Sequence, residues 1–165
     1  MTLIVMISSC NGDVAYGRVY GGSGGQPFDD GLGTKPADKI NKICIRSGNR
    51  VDQVEFITNQ YSLKHGGNGG KQNCWDQPAS IVAYTVCIGR HKSDRVFFVE
   101  FSLANGAKIA GGKRTHNCRY YTIPHGGLVF GMFGRSGKEV DELGLSFDIT
   151  PNNVEVYSDE AETEL

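Results

Sequence analysis

The sequence predicts an all-β protein, and three observations support this class. Its 165 residues include 23 glycines, about twice the usual share of roughly 7%, and they cluster between apolar stretches without a collagen-like period. Apolar runs and apolar–polar alternation typical of strands recur at intervals of about ten residues. No window of about 11 residues or more carries the i, i+3, i+4, i+7 stripe of an amphipathic helix.

The strand-like segments are separated by turn sequences that supply positive φ angles, such as Asn-Gly, Gly-Gly and Ser-Gly. Asn105-Gly106, between Phe101-Ser102-Leu103 and Lys108-Ile109, predicts a hairpin. The predicted strands are Val14–Tyr20, Ile40–Arg46, Val51–Asn59, Ile81–Ile88, Arg95–Leu103, Leu128–Gly134, Val140–Ile149 and Val154–Tyr157.

The length predicts one domain, since domains usually span roughly 100–200 residues. We expect an N-terminal extension over 1–13, the β domain over 14–158 and a frayed acidic tail over 159–165. The apolar run Leu3–Ile7 lacks a basic flank and is short for a signal sequence. It is therefore interpreted as an added first strand or as the remnant of a processed leader.

The charge balance and the short apolar runs each disfavour one class of partner. Seventeen Lys and Arg against eighteen Asp and Glu leave a net charge of −1, whereas nucleic-acid binding relies on clustered basic residues. No apolar run approaches the roughly 18 residues of a membrane span, so membrane insertion is not expected.

The five cysteines, Cys10, Cys44, Cys74, Cys87 and Cys118, form no C-x-x-C pair and allow two interpretations. They are buried free thiols of a cytosolic protein, or they belong to an oxidising compartment and form one or two internal bridges. In the second case one thiol is left over. Cys10 lies on the extension, where it can form an interchain disulfide in a dimer or larger homo-oligomer.

The common catalytic and cofactor motifs are absent from the sequence. It contains no Walker loop, Rossmann fingerprint, G-x-S-x-G elbow or calcium loop. His65, His91, His116 and His125 include no i, i+4 pair, and we expect them at turns or on the surface. No cofactor and no metal are predicted.

Two different motifs each occur twice. Gly48-Asn49-Arg50-Val51-Asp52-Gln53-Val54 resembles Gly137-Lys138-Glu139-Val140-Asp141-Glu142-Leu143, and each copy follows a serine and leads into a strand. Gly21–Gly25 and Gly66–Gly70 both read G-G-[SN]-G-G. The duplication suggests repeated supersecondary units with a shared task.

The G-x-x-x-D motif fits the recognition of a neutral sugar. A glycine turn can point backbone N–H groups into one concavity, and an aspartate four residues later accepts hydrogen bonds through two oxygens. Vicinal sugar hydroxyls need both kinds of partner. The alternative is that Asp52 and Asp141 only cap their own turns.

These residues resemble the jacalin-related lectins. The resemblance runs from about Tyr16 to Ile149 and rests on G-G-x-G-G followed by Phe28-Asp29-Asp30-Gly31, and on G-R-S-G-x-x-x-D-x-x-G from Gly134 to Gly144. It implies a β-prism of three four-stranded antiparallel sheets with pseudo-threefold symmetry. It also implies carbohydrate binding without metal and without catalysis.

The resemblance also implies the site residues. A first carbohydrate site would comprise Gly25, Gly137, Lys138, Glu139 and Asp141. A second site, present in some mannose-binding members, would comprise Gly70, Gly48, Asn49, Arg50 and Asp52.

Several positions depart from the family pattern. Lys138 and Glu139 replace the usual aromatic residues, so stacking on the sugar would be lost while backbone donors remain. The third unit, from Gly111 to His116, lacks the full glycine motif, so no third site is expected. The cysteines and the extension point to a secreted, animal-type member, with a cytoplasmic location as the alternative.

Gly25 lies inside the chain, whereas galactose-preferring members have a free chain start at this position. The resemblance therefore favours glycans and glycoproteins that carry mannose or glucose. Two other functions remain open. One is a glycosidase using Glu139, Asp141 and Glu142, or Asp29 with Asp30, as its carboxylate pair. The other is a β-prism that serves as a protein-interaction or structural module after its sugar site has decayed.

Overall fold

The strands form three antiparallel sheets in the computed structural model, which describes residues 13–32 and 39–149. The first sheet contains β1 (Asp13–Tyr16), β2 (Tyr20–Gly21), β3 (Gln26–Asp29), β12 (Leu128–Ser136) and β13 (Val140–Ile149). The second contains β4 (Lys42–Ser47), β5 (Val51–Ile57), β6 (Ser62–Gly66) and β7 (Lys71–Asp76). The third contains β8 (Ile81–His91), β9 (Ser93–Leu103), β10 (Lys108–Gly112) and β11 (Asn117–Thr122). A short 3-10 helix, Asp30–Leu32, follows β3.

All three sheets share one arrangement. The second has the order β6-β5-β4-β7 and the third β10-β9-β8-β11. In the first, β1 and β2 pair with opposite ends of β13 and together form one outer strand beside β13, β12 and β3. Each sheet is therefore a central hairpin with an outer strand on either side. This confirms the expected β-prism of three four-stranded sheets.

The hydrophobic core lies between the sheets. The ring centroids of Phe56 on β5 and Phe101 on β9 are 5.6 Å apart, while Leu143 and Leu145 of β13 are fully buried. Burying a side chain of this size contributes about 1.5–3 kcal/mol. The packed core holds the three central hairpins together, so their loops lie at defined positions.

The sequence located the central strands better than the outer ones. The prediction of one strand over Val14–Tyr20 is wrong, because pairing is interrupted at 17–19, where Gly17 N donates to Leu145 O at 2.8 Å. The sequence predicts none of the polar, exposed or half-exposed strands β3, β6, β7 and β11, and it indicates β10 only as the second strand of the Asn105-Gly106 hairpin. Val154–Tyr157 lies outside the described residues. The domain boundaries stay predictions, although β1 begins at Asp13.

Two disulfides join central to outer strands. Cys44 on β4 pairs with Cys74 on β7, and Cys87 on β8 pairs with Cys118 on β11. The prediction of internal bridges is thus confirmed, and the free-thiol interpretation is wrong for these four residues. Loops of about 30 residues closed in this way are worth about 3.6 kcal/mol each. Cys10 lies outside the described residues.

His65 connects the first and second sheets. Its ring stacks on Phe28 with centroids 3.7 Å apart, and its Nε2 lies 2.8 Å from Oδ1 of Asp30. Asp30 also accepts a bond from Met132 N at 2.9 Å. The expectation that this histidine lies at a turn or on the surface is therefore wrong.

Within the described part of the chain, no helix meets the length and hydropathy of a membrane span.

Candidate functional site

The duplicated motifs lie at the same end of each sheet. We call the segment that joins the two central strands the hairpin loop, and the segment that joins the two outer strands the glycine loop. The hairpin loops are 137–139 in the first sheet and 48–50 in the second, and the glycine loops are 22–25 and 67–70. The fold thus brings each G-x-x-x-D motif beside one G-G-x-G-G motif.

In the first sheet the carboxylate of Asp141 lies directly under the glycine loop. A Cβ atom placed on Gly24 would be 2.7 Å from its Oδ1, and one on Gly25 would be 2.6 Å from its Oδ2. Gly25 also has φ +66°, which favours glycine. Glycine is required here for both reasons, and it leaves the carboxylate next to bare backbone.

The second sheet repeats this geometry. Cβ atoms on Gly69 and Gly70 would each be 2.5 Å from an Asp52 carboxylate oxygen, and Gly70 again has φ +66°. Backbone bonds close both hairpin loops, from Gly48 N to Arg50 O at 3.1 Å and from Gly137 N to Glu139 O at 2.9 Å. The two predicted sites are therefore structural equivalents.

Two arginines that the sequence reasoning missed hold the glycine loops in place. Arg135 donates from Nε to Gly24 O at 3.0 Å and from Nη2 to Gly25 O at 3.0 Å. Arg46 makes the same pair of bonds to Gly69 O and Gly70 O, at 3.0 and 3.2 Å. The signal was present in the sequence, since the full repeat reads R-S-G-x-x-V-D and includes the residue before each serine.

The two aspartates do not act as turn caps in this structure. Among the hydrogen bonds of residues 13–32 and 39–149, none is donated to the carboxylate of Asp52 or Asp141. Burial raises the pKa of both carboxyls, and the charge of Glu139 raises it further, while nearby arginines oppose the shift. Both carboxylates therefore keep hydrogen-bonding capacity that no protein donor among these residues uses.

One residue from each central hairpin meets in an ionic cluster beside the two sites. Arg50 donates to Glu139 at 2.9–3.0 Å from Nε and Nη2, and Arg95 Nη1 lies 3.3 Å from Glu139 Oε2. Burial alone would raise the pKa of Glu139, but the bonds and charges of Arg50 and Arg95 outweigh it and lower the pKa. We call these three residues the Glu139 cluster.

This cluster changes the roles expected of two site residues. The side chain of Glu139 is 11% exposed and is bound to arginines, so only its backbone remains available to a sugar. Arg50 neither blocks the second site nor projects freely into it, because Glu139 holds its guanidinium. Gly48, Asn49, Gly137 and Lys138 are exposed, as expected of loop residues that contact a ligand.

The two sites adjoin each other. Gly67 of the second glycine loop packs against the backbone carbonyl of Lys138 in the first hairpin loop. A groove of about 520 Å³ lies along this junction. Its lining consists of Asp52, Gly67, Asn68, Gly69, Gly137, Lys138 and Glu139. Backbone amides and carboxylates near an open groove suit a polar, uncharged ligand with several hydroxyls.

The third sheet has the same frame with different residues. Lys113 N donates to Phe97 O at 2.8 Å, just as Gly22 N donates to Asp141 O at 2.8 Å and Gly67 N to Asp52 O at 2.9 Å. Phe97 thus occupies the position of the aspartate. The strand register likewise places Cys87 where the other sheets have Arg135 and Arg46.

Comparison with known proteins agrees with this architecture. The model of the jacalin-like lectin domain matches residues 18–146. The chain belongs to the jacalin-like lectin family. Family members bind carbohydrate and are not enzymes, and this chain is accordingly a lectin-family protein without catalytic activity.

The relatives found include plant lectins. Horcolin from Hordeum vulgare is 25% identical over 142 residues, which cover 80% of this chain and 94% of horcolin. A mannose-specific jacalin-related lectin from Morus nigra, solved with mannose, superposes with a TM-score of 0.70 at 19% identity, covering 88% of this chain and all of that one. Artocarpin, solved with mannotriose, gives 0.70 at 18% identity over 86% of this lectin and 100% of artocarpin.

Three of the five carboxylates considered for a hydrolytic pair have other partners. Asp29 accepts bonds from Tyr16 Oη at 2.9 Å and Gly31 N at 2.8 Å, and Asp30 binds His65 and Met132 N. Glu139 is held by arginines. Within 13–32 and 39–149 no group of three or more His, Cys, Asp or Glu side chains is arranged to hold a metal.

Proposed function

We propose that this protein is a metal-independent lectin that binds mannose- or glucose-type glycans through two sites per chain. The observation that carries the proposal is the pair of equivalent carboxylates, Asp141 and Asp52, each beneath a glycine loop and without a protein donor. Each would accept bonds from two sugar hydroxyls, while exposed backbone amides of the hairpin loops donate to the same ring.

The sugar preference follows from the position of Gly25. This residue is internal to the chain, and its carbonyl is held by Arg135. No free amino group is therefore available to hold the axial hydroxyl of galactose. Mannose and glucose have an equatorial hydroxyl at the carbon where galactose has its axial one. They therefore fit a site made of one carboxylate and backbone amides.

Each site is expected to be weak for a monosaccharide. A few hydrogen bonds that each contribute about 0.5–1.5 kcal/mol give a dissociation constant near 1 mM, or about −4 kcal/mol. Two adjoining sites would then strengthen binding to glycans with several terminal residues. Oligomerisation would add to this effect.

The test is calorimetry with methyl α-mannoside, methyl α-glucoside and methyl α-galactoside, together with binding to an immobilised mannan. We expect binding of the first two sugars, no binding of the galactoside and no change with EDTA. Inhibition by galactoside at equal or lower concentration would contradict the specificity. Loss on chelation with recovery in calcium would contradict the mode of binding.

We further propose that the protein is secreted and forms a homo-oligomer, with glycoproteins as partners. Its two disulfides support an oxidising compartment. Cys10 is the proposed interchain cysteine. A non-reducing gel should show a dimer that Cys10→Ser abolishes, whereas a monomer band with an alkylatable Cys10 would contradict the covalent link.

A further inference from the structure

The third sheet presents a cationic cavity where the other two sheets present their candidate sugar sites. The cavity measures about 400 Å³ and lies between the third glycine loop, 113–116, and the end of the long β8–β9 hairpin. Its lining consists of Asn49, Arg50, Arg90, His91, Phe97, Lys113, Arg114 and Thr115. Four of these residues carry a fixed positive charge, and none is acidic.

The substitutions in the third sheet exchange one kind of hydrogen-bonding group for another. In the first two sheets a carboxylate accepts bonds beneath a glycine loop that has no side chains. In the third sheet Phe97 replaces the acceptor, and Lys113 and Arg114 bring donors to the loop. A site with donors and no carboxylate suits a group that only accepts hydrogen bonds and carries negative charge.

The surrounding acids leave part of this positive charge uncompensated. Glu139 holds Arg50, Glu100 lies 3.5 Å from Arg114, and Asp94 lies 3.9 Å from Arg90. The last pair is largely exposed and so contributes little. Among the described residues no ion pair engages Lys113, which is exposed beside the cavity.

The cavity adjoins the hairpin loop of the second candidate sugar site. Asn49 and Arg50 of the second hairpin loop line it, and Gly48, in the same loop, belongs to that site. A glycan whose terminal residue lies over Asp52 can therefore extend toward Lys113 and Arg114 across one short loop. This proximity favours an anionic glycan over nucleic acid, which the net charge of −1 also disfavours.

We propose that the cavity between Phe97, Lys113, Arg114 and Arg90 binds a sulfate or phosphate ester group of a glycan. The inference rests on the proposed function, because it extends the ligand from neutral mannose- or glucose-type residues to anionic saccharides. It differs from a third site of the Asp type, which the residues of this sheet do not provide.

The test uses a probe without mannose or glucose, so that the neutral sites stay out of the measurement. Binding of chondroitin 4-sulfate and of unsulfated chondroitin is measured on the full chain and on the double variant Lys113→Gln, Arg114→Gln. The matched control is Lys108→Gln, Arg119→Gln on the same sheet. Lys108 also pairs with Glu100, at 3.7 Å, and Arg119 lies over an aromatic ring as Arg114 does.

We expect the sulfated chain to bind more tightly than the unsulfated one. The Lys113, Arg114 variant should bind the sulfated chain about tenfold more weakly or worse, while the control stays within about twofold. Equal losses in variant and control would overturn the proposal, since general surface charge would then explain the binding. So would equal affinity for the sulfated and unsulfated chains.

Two further arms separate the possible failures. Inorganic sulfate is added as a competitor at the same concentration of sulfate groups, and full displacement would overturn the assignment to a glycan in favour of a free anion. Methyl α-mannoside is titrated into every variant and should bind unchanged. If no variant binds the mannoside while sulfated-chain binding still depends on Lys113 and Arg114, the proposed function fails and the cationic site stands.

Discussion

At the same end, the first and third sheets share a backbone hydrogen-bond arrangement but carry side chains with opposite hydrogen-bonding character. In both, a backbone N–H of the glycine loop donates to a carbonyl of the central hairpin at 2.8 Å. In the first sheet that carbonyl belongs to Asp141, and Arg135 holds the loop. In the third it belongs to Phe97, and Cys87 has replaced the arginine and forms a disulfide. The two sheets therefore share a backbone frame, and the side chains at these two positions give that frame different hydrogen-bonding groups.

The second sheet shows which of these positions form a set. It keeps Asp52, Arg46 and the bare glycine loop, and its geometry matches the first sheet to within a few tenths of an ångström at each bond. The third sheet has lost the aspartate, the arginine and the loop glycines. We infer that a neutral sugar site needs all three, because the arginine fixes the carbonyls of the loop under which the carboxylate lies.

The largest expected effect comes from removing both carboxylates. In the double variant Asp52→Asn, Asp141→Asn the side chains keep their shape. At each site, however, an amide NH2 group replaces one carboxylate oxygen, so a donor faces a sugar hydroxyl that needs an acceptor. A lost bond to a charged group costs about 1.5–3 kcal/mol, so each site weakens about tenfold or more. Calorimetry with methyl α-mannoside should show half the stoichiometry in each single variant and none in the double variant. Full stoichiometry in Asp52→Asn would contradict a working second site.

The sequence predicted this pair of sites better than the links around them. The motif repeat located Asp52, Asp141 and the glycine loops because each motif is one short, continuous stretch of sequence. The Glu139 cluster joins three hairpins, and Arg50 and Glu139 are 89 residues apart in sequence, so no local pattern reveals it. Strands β3, β6, β7 and β11 are not predicted for a related reason: they are polar, and only pairing with a central strand makes them strands.

The next effect tests whether the Glu139 cluster, which lies beside both sites, stabilises the fold. Glu139→Gln removes the carboxylate that pairs with both Arg50 and Arg95 and leaves Asp52 and Asp141 as the nearby acidic groups. Breaking a buried pair costs about 3 kcal/mol. Urea unfolding should show this loss. Because the pKa of Glu139 is lowered in the folded state, its contribution is present above its ordinary pKa and disappears as pH falls through the lowered value. The two proteins should therefore converge in strongly acidic buffer.

A matched control for Glu139 is Glu100→Gln. Glu100 also contacts two basic residues, Lys108 at 3.7 Å and Arg114 at 3.5 Å, but both partners are more than half exposed. Exposed pairs contribute at most about 1 kcal/mol. Equal destabilisation by the two substitutions would show that the Glu139 cluster has no special role.

A smaller effect is expected from the arginines under the glycine loops. In Arg135→Lys a single ammonium cannot reach Gly24 O and Gly25 O in the same forked geometry. Measured in the Asp52→Asn background, where only the first site remains, mannoside affinity should fall roughly fivefold, or about 1 kcal/mol, because Arg135 acts on the sugar only through the loop that it holds. Arg46→Lys in the same background removes the equivalent bonds from the inactive site and should leave affinity unchanged. A loss in both would point to a general effect on folding.

The smallest effect separates a binding carboxylate from a turn cap through the stability of Asp52→Asn. Burial raises the pKa of Asp52 in the folded state, so its favourable contribution is present only below the ordinary aspartate pKa and is lost as pH rises through the raised value. At pH 7 the ionised group therefore costs stability. The asparagine variant should melt at the same temperature as the parent or slightly higher, and the difference should shrink as pH falls below the ordinary pKa. A cap would give the opposite sign, with a loss of about 1 kcal/mol at pH 7. A lower melting temperature together with unchanged mannoside stoichiometry would identify Asp52 as a cap and leave the first sheet as the one neutral sugar site among the described residues.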